Sequence, residues 1–139
     1  MDGQGPITIR DIDHVVFRVN DLETVAAFWR EVLGATFEKH QDIGLHQLRV
    51  GTALVDLVPV DSKLGRMGGA APGREGHNVD HVCFRIDGWD EAAILAHLGA
   101  HGIEGHVVQR YGADGDGPSV YIHDPEGNMI ELKGPPSVT

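Results

Sequence analysis

The stretch Asp13-His14-Val15-Val16-Phe17-Arg18-Val19 returns 67 residues later as Asp80-His81-Val82-Cys83-Phe84-Arg85-Ile86, with five of the seven positions identical. Both copies alternate with a period of two, the signature of a β-strand with one buried face. Val15, Phe17 and Val19 lie on one side, and His14, Val16 and Arg18 on the other. The second copy sets Val82, Phe84 and Ile86 against His81, Cys83 and Arg85. One His therefore leaves the more apolar face at the same place in each copy. A duplicated strand carrying a duplicated His predicts one divided site built by two related half-domains.

The pattern around each copy repeats as well. After the first strand, Asn20 and Glu23 read as a capping box. Val25, Phe28, Trp29, Val32 and Leu33 then form one helical stripe, and Gly34 suits the position after the helix end. After the second strand a weaker helix is predicted over about 89–101, with Ala92, Leu95 and Leu98 as its stripe and Gly102 as its stop. Each helix is expected to cover the Val/Phe face of its own strand. Three short strand-like runs follow each helix, at about 36–40, 45–50 and 53–58, then 106–110, 119–123 and 128–133. The unit is β-α-β-β-β, used twice. The expected fold is α+β, a single domain over 1–139. Module one covers about 8–61, a Gly-rich mobile linker about 62–78, and module two about 79–134. Gly112 to Gly117 reads as a further mobile loop, a lid over the site.

Composition narrows the function classes. The 139 residues carry a net charge of −10, which argues against nucleic acid and anionic membrane as partners. No apolar run approaches the roughly 18 residues of a membrane span. Met1 to Arg10 lacks the basic start and apolar stretch of a secretory signal. A single cysteine, Cys83, excludes an intramolecular disulfide and fits a reducing cytoplasm.

The last strands of the two units correspond too. Leu54-Val55-Asp56-Leu57 parallels Met129-Ile130-Glu131-Leu132, an acid between apolar neighbours in each. With the apolar residues inward, Asp56 and Glu131 project to the face that His14 and His81 occupy. His14, Asp56, His81 and Glu131 are thus two equivalent pairs. Two imidazoles with one or two carboxylates suit a borderline divalent ion: Zn²⁺, Ni²⁺, Co²⁺, Mn²⁺ or Fe²⁺. Carboxylates gathered in a cup without a partner would cost several kcal/mol (order of magnitude), which a metal removes.

At these residues the chain resembles the vicinal oxygen chelate superfamily. That group includes glyoxalase I, methylmalonyl-CoA epimerase, extradiol dioxygenases, and fosfomycin- and bleomycin-resistance proteins. The resemblance spans about 12–134. Its most specific parts are the two Asp-His-Val tripeptides and the tail from Val120 to Leu132, with Asp124-Pro125-Glu126-Gly127-Asn128 at its centre. It implies two βαβββ modules whose mixed sheets curl around a metal cup, with His14, His81 and Glu131 as ligands and Asp56 at a more variable fourth position. It further implies a small-molecule substrate offering two neighbouring oxygens to the metal, and an enediolate or similar oxyanion as the stabilised species. Homodimers are common in the family, and the metal is sometimes shared between chains.

Three branches compete. A glyoxalase I-like lyase or isomerase is the first, with Glu131, Asp56 and Tyr121 as its catalytic side chains; its departure from the family is Asp56, where glyoxalase I enzymes carry Glu. An extradiol Fe(II) dioxygenase is the second. His14, His81 and Glu131 match its two-His-one-carboxylate set, and Tyr121 stands ten residues before Glu131. Its signature also wants a His seven to nine residues before the Tyr, where this chain has Gly112, Ala113 and Asp114. A fosfomycin-type phosphonate is disfavoured because the 112–118 loop holds no base and two acids, Asp114 and Asp116. The non-enzymatic third branch is drug sequestration of the bleomycin-resistance type, whose members typically lack the metal ligands kept here. Arg18 and Arg85, on the His faces, are candidates to pair an anionic group. His123 and His46 are minor candidates for substrate contact, His97 and His101 for an exposed helix face, and Cys83 for a small buried thiol.

Overall fold

A computed structural model describes residues 5–137 of the chain. The first heptad becomes β1 (His14–Val19), whose Phe17 and Val19 are fully buried while His14 is exposed. Helix α1 (Leu22–Glu31) follows, then β2 (Thr36–Gln41), β3 (Leu45–Val50) and β4 (Ala53–Pro59). The second copy gives β5 (Val82–Arg85), α2 (Glu91–Ala100), β6 (Val107–Gly112), β7 (Gly115–His123) and β8 (Met129–Lys133). The strands form two four-stranded mixed sheets of identical order, β1-β4-β3-β2 and β5-β8-β7-β6. In each, the repeat strand runs parallel to the strand that carries the acid. Register places Val16 opposite Asp56 and Cys83 opposite Glu131. The α+β, two-module βαβββ expectation thus holds, with curled rather than closed sheets.

One core joins the modules. Trp29 of α1 lies fully buried between Phe17 and Phe84, the equivalent phenylalanines of the two copies, with ring centres 5.7 and 5.9 Å away. Helix α1 therefore covers both sheets, where the sequence suggested only its own. Val25, Leu48, Val55 and Leu57 from the first module and Leu98, Val120, Ile122, Ile130 and Leu132 from the second complete the cluster.

The tail motif supplies the polar half of this junction. Buried Asp124 accepts from the Trp29 Nε1–H (3.2 Å), from the backbone N–H of Glu126 and Asn128, and from the Asn128 amide (2.9 Å). Glu126 reaches across to accept from the backbone N–H groups of Asn20 (2.7 Å) and Asp21 (2.6 Å) at the start of α1. Asn20 is thereby drawn to Glu126, and the helix cap falls to Asp21. Its carboxylate accepts from the Thr24 N–H and hydroxyl. The expected Asn20–Glu23 capping box is replaced by an Asp cap one residue later. Asp90 likewise caps α2, so that helix starts at Glu91; its inward side is Ile94, Leu95 and Leu98, and Ala92 is exposed.

Two segments differ from their expected mobility. Gly112 to Gly117 is no lid: β6 and β7 pair straight through it around the turn residues 113 and 114. Its glycines mark close approaches inside a sheet. A Cβ on Gly117 would lie 2.5 Å from the Pro135 carbonyl oxygen, and one on Gly112 would strike the Lys133 side chain. The 62–78 connector is pinned to β1. The Arg18 guanidinium donates to the carbonyls of Gly68, Gly69 and Ala70, and the Asn78 amide bonds both the N–H and the carbonyl of Arg18. Asn78 thus satisfies both main-chain groups of one residue on an edge strand, and it also donates to Asn128 of the tail (2.9 Å).

Asp124→Ala would leave a buried indole N–H and three amide donors without an acceptor. The expected loss is about 2–4 kcal/mol of unfolding free energy, read as a lower urea midpoint. Asp116→Ala, at an exposed acid near the start of β7, should stay within about 0.5 kcal/mol of the parent. Equal midpoints for the two variants would remove Asp124 from this role.

Candidate metal centre

Strand parity builds each half of the centre. With Ile130 and Leu132 locked into the core, Glu131 must leave the opposite face of β8. The same holds for Asp56 between Val55 and Leu57 on β4. Both carboxylates are nevertheless almost inaccessible, 5% and 2% exposed, because neighbouring strands carry side chains over them.

The second half is the more fully assembled. His81 Nε2 stands 3.2 Å from Glu131 Oε1, and its Nδ1 is 2.6 Å from Asp80 Oδ1. The Ser119 hydroxyl donates to the other Glu131 oxygen at 2.6 Å. Tyr121, opposite Glu131 in register, turns its ring edge-on to His81 with centres 5.7 Å apart. Burial alone would raise the Glu131 pKa. Hydrogen bonds from Ser119 and Tyr121, with the charges of His81 and Lys133, outweigh it and hold the carboxyl below its usual range. Burial, reinforced by the Glu131 charge, moves the Tyr121 hydroxyl up, so it keeps its proton. Cys83 is exposed rather than buried; desolvation of its thiol, with Glu131 close by, pushes it up to about 11, which excludes a thiolate nucleophile near neutrality.

The first half repeats the plan with fewer contacts. His14 Nδ1 is 2.8 Å from Asp13 Oδ1, and that bond, with the Asp56 charge, raises the His14 pKa. Asp56 accepts from the Gln47 amide at 3.3 Å. The connector roofs a cavity of about 420 Å³ beside this half, lined by Val16, Arg18, Pro72 and His77.

In both copies the Asp that precedes the His holds the ring through Nδ1 and leaves Nε2 for another partner. This is the outer-shell arrangement that fixes a metal-ligating imidazole. Together with two carboxylates kept out of water, the donors fit a borderline divalent ion. Asp13 and Asp80 carried no role in the sequence reading, although their recurrence beside each His was the available signal. Gln47 had none.

The structure joins His81 to Glu131 and sets His14 within the field of Asp56. It does not bring the two pairs into one group. Among the described residues no three His, Cys, Asp or Glu side chains converge as a metal shell. The reason is the shared core: both sheets turn their apolar faces inward, so both polar faces look outward. Of the minor candidates, His123 is exposed on the Tyr121 face. His46 falls on the opposite, Leu48 face of β3, 3.1 Å from His40. His97 Nε2 is spent on the Val32 carbonyl at 2.8 Å. Arg18 is engaged by the connector, and Arg85 by Asp114 at 2.5 Å.

Known proteins share this architecture. The chain is 33% identical over 134 residues to a virulence protein, STM3117, of Salmonella typhimurium strain LT2, covering 87% of this chain and 81% of that one. The crystal structure of that protein superposes with a TM-score of 0.78 at 26% identity, covering 93% and 99% of the two chains. A lactoylglutathione lyase from Agrobacterium tumefaciens matches with a TM-score of 0.63 at 23% identity, over 94% and 96%. The fosfomycin resistance protein FosX of Listeria monocytogenes matches at 0.63 and 19%, over 91% and 94%. These last two similarities speak for the fold alone. The family model of the Glyoxalase/Bleomycin resistance protein/Dioxygenase superfamily matches residues 11–132. The chain, with its paired modules and duplicated Asp-His strands, belongs to that superfamily.

Proposed function

We propose that the protein is a divalent-metal-dependent enzyme of glyoxalase type, a lyase or isomerase acting on a small substrate with two adjacent oxygens. The observation that carries this reading is the twice-repeated set of Asp, His and buried carboxylate: Asp13-His14-Asp56 and Asp80-His81-Glu131. A solvated sheet face has no reason to repeat an Nδ1-anchored imidazole beside a carboxylate that is shielded from water.

The reading requires two copies of the chain. His14 and Asp56 of one copy meet His81 and Glu131 of a second, forming two cups per homodimer. The outward polar faces support this, as do the edge strands: β1 and β5 each end a sheet, and Val16, on the His14 face, is 42% exposed. Unpaired strand edges with apolar side chains are surfaces that proteins cover. The net charge of −10 disfavours nucleic acid or anionic membrane as the partner, and no described helix is long and apolar enough to cross a membrane. A cytoplasmic location fits the lone thiol.

Zn²⁺, Ni²⁺, Co²⁺, Mn²⁺ or Fe²⁺ would be held by His14, His81 and Glu131, with Asp56 fourth, and when bound would supply Lewis-acid stabilisation of negative charge on the substrate oxygens. The remaining work falls to the chain. Asp80 and Asp13 keep each ring in one tautomer. Ser119 and Tyr121 hold Glu131 ionised and aimed. Asp56, one methylene shorter than Glu and held among the described residues by Gln47, would act in place of ligating, taking a proton from one substrate carbon and returning it to the neighbouring one, while Tyr121 steadies Glu131. The extradiol reading is weaker, since its missing His falls at 112–114, where β6 turns into β7.

Mixing experiments test the shared centre. A His14→Ala/Asp56→Ala dimer and a His81→Ala/Glu131→Gln dimer should each bind no divalent metal tightly. Refolded together, they should recover about one quarter of the parent sites, because about half the dimers are mixed and each holds one intact cup. Zero recovery, with both variants folded, would reject a centre shared between chains. Asp80→Asn should weaken Ni²⁺ or Zn²⁺ binding by about 10–100-fold without unfolding the chain, measured by chelator competition; an unchanged affinity would dismiss its orienting role. Assayed with the hemithioacetal of methylglyoxal and glutathione, the Ni²⁺, Co²⁺ or Zn²⁺ protein should turn over. Inactivity with all three, joined to oxygen uptake on catechols with Fe²⁺, would replace the lyase by a dioxygenase.

A further inference from the structure

Three Arg and Lys side chains belong to the sheet face that bears Glu131, and the structure treats them differently. Arg85 is neutralised by Asp114. Lys133 is buried, its Nζ donating to the carbonyls of Arg110 and Gly117. Arg110 remains. Its register opposite Gly117 puts it on the face of Ser119 and Tyr121. Its guanidinium lies 5.7 Å from the Tyr121 ring centre and within the field of the Tyr121 hydroxyl, and its Nη1 donates to the neighbouring Gln109 carbonyl at 2.9 Å. No carboxylate among the described residues pairs with it, and the charges acting on Glu131 are those of His81 and Lys133.

The arrangement around Arg110 is ordered. Lys133 grips its carbonyl, and Gly112 leaves room for the lysine stem to get there. Tyr121 lies between Arg110 on one side and His81 on the other, each 5.7 Å from its ring centre. A small molecule facing His81 and Glu131 would extend along Tyr121 and meet the guanidinium. The two acids of this hairpin that seemed to forbid an anion do not oppose it. Asp114 is consumed by Arg85, and Asp116, adjacent to Gly117 in the strand, belongs to the other face.

We propose that Arg110, lying against the Tyr121 ring, is an anion subsite: it receives a carboxylate, phosphonate or phosphate carried by the substrate whose adjacent oxygens face His81 and Glu131. This rests on the metal-centre reading above and adds the substrate class, small oxygen chelators with an acidic tail. An exposed guanidinium beside a buried carboxylate offers a planar fork of donors to such a group.

Three hydroxamates separate the two ideas. Acetohydroxamate offers two adjacent oxygens and no charged tail. Succinic acid monohydroxamate adds a carboxylate, and phosphoglycolohydroxamate a phosphate. Calorimetric titration of the Ni²⁺-loaded protein should show all three binding, with at least one acidic member tighter than acetohydroxamate by about tenfold or more. Arg110→Gln should erase that gap while acetohydroxamate binds as before, and Arg110→Lys should restore part of it. The member with the larger gap identifies the tail as carboxylate or phosphate. Equal binding by all three, or a gap that survives Arg110→Gln, overturns the inference alone. Failure of acetohydroxamate itself to bind overturns the metal-centre reading and the inference with it.

Discussion

The structure depends on one constraint, the two-residue period of its central strands. On β1, β4, β5 and β8 every core residue forces its neighbour to the opposite face. Once Phe17, Leu57, Phe84 and Ile130 are buried, the sides taken by His14, Asp56, His81 and Glu131 are settled. A slip of one residue in any of these strands would bury a charge and expose a core side chain, at a cost far above the stability of a domain this size. The chemistry is therefore tied to the hydrophobic pattern, and neither can move without the other.

Trp29 turns two repeats into one body. It stands between equivalent phenylalanines of the two modules, and its indole N–H is received by Asp124 from the tail motif. Because both apolar faces are spent on this common core, both polar faces are left outward and apart. The half-centres are finished as surfaces, each with its own orienting Asp and shielded carboxylate, yet neither is a complete metal shell. Fusing the cores within one chain is what makes a second chain necessary for the proposed centre.

Much of this was legible in the residues. The period-2 alternation, the helical stripe over 25–33, the βαβββ unit and the strand faces of the two His and two acids could be read because each follows from a local pattern. Helix caps, loops and side-chain partners were less accessible. Asn20 looked like a cap until Glu126, more than a hundred residues away, took its N–H. The glycines from 112 to 117 looked like a loop, because the sequence does not show that Lys133 and Pro135 need the space inside a sheet. Arg18 and Arg85 looked free because their partners are remote carbonyls and a turn acid, while Arg110 lies outside the repeated heptads that mark the site in the sequence.

The sequence by itself determined the family, the duplicated fold and the strand faces on which His14, Asp56, His81 and Glu131 stand, since periodicity and repetition are properties of the chain's order. The tertiary structure decided which donors share a neighbourhood, which charges are already spent and which face remains open. Those outcomes depend on distances between residues far apart in the chain, set only when the two modules pack around Trp29.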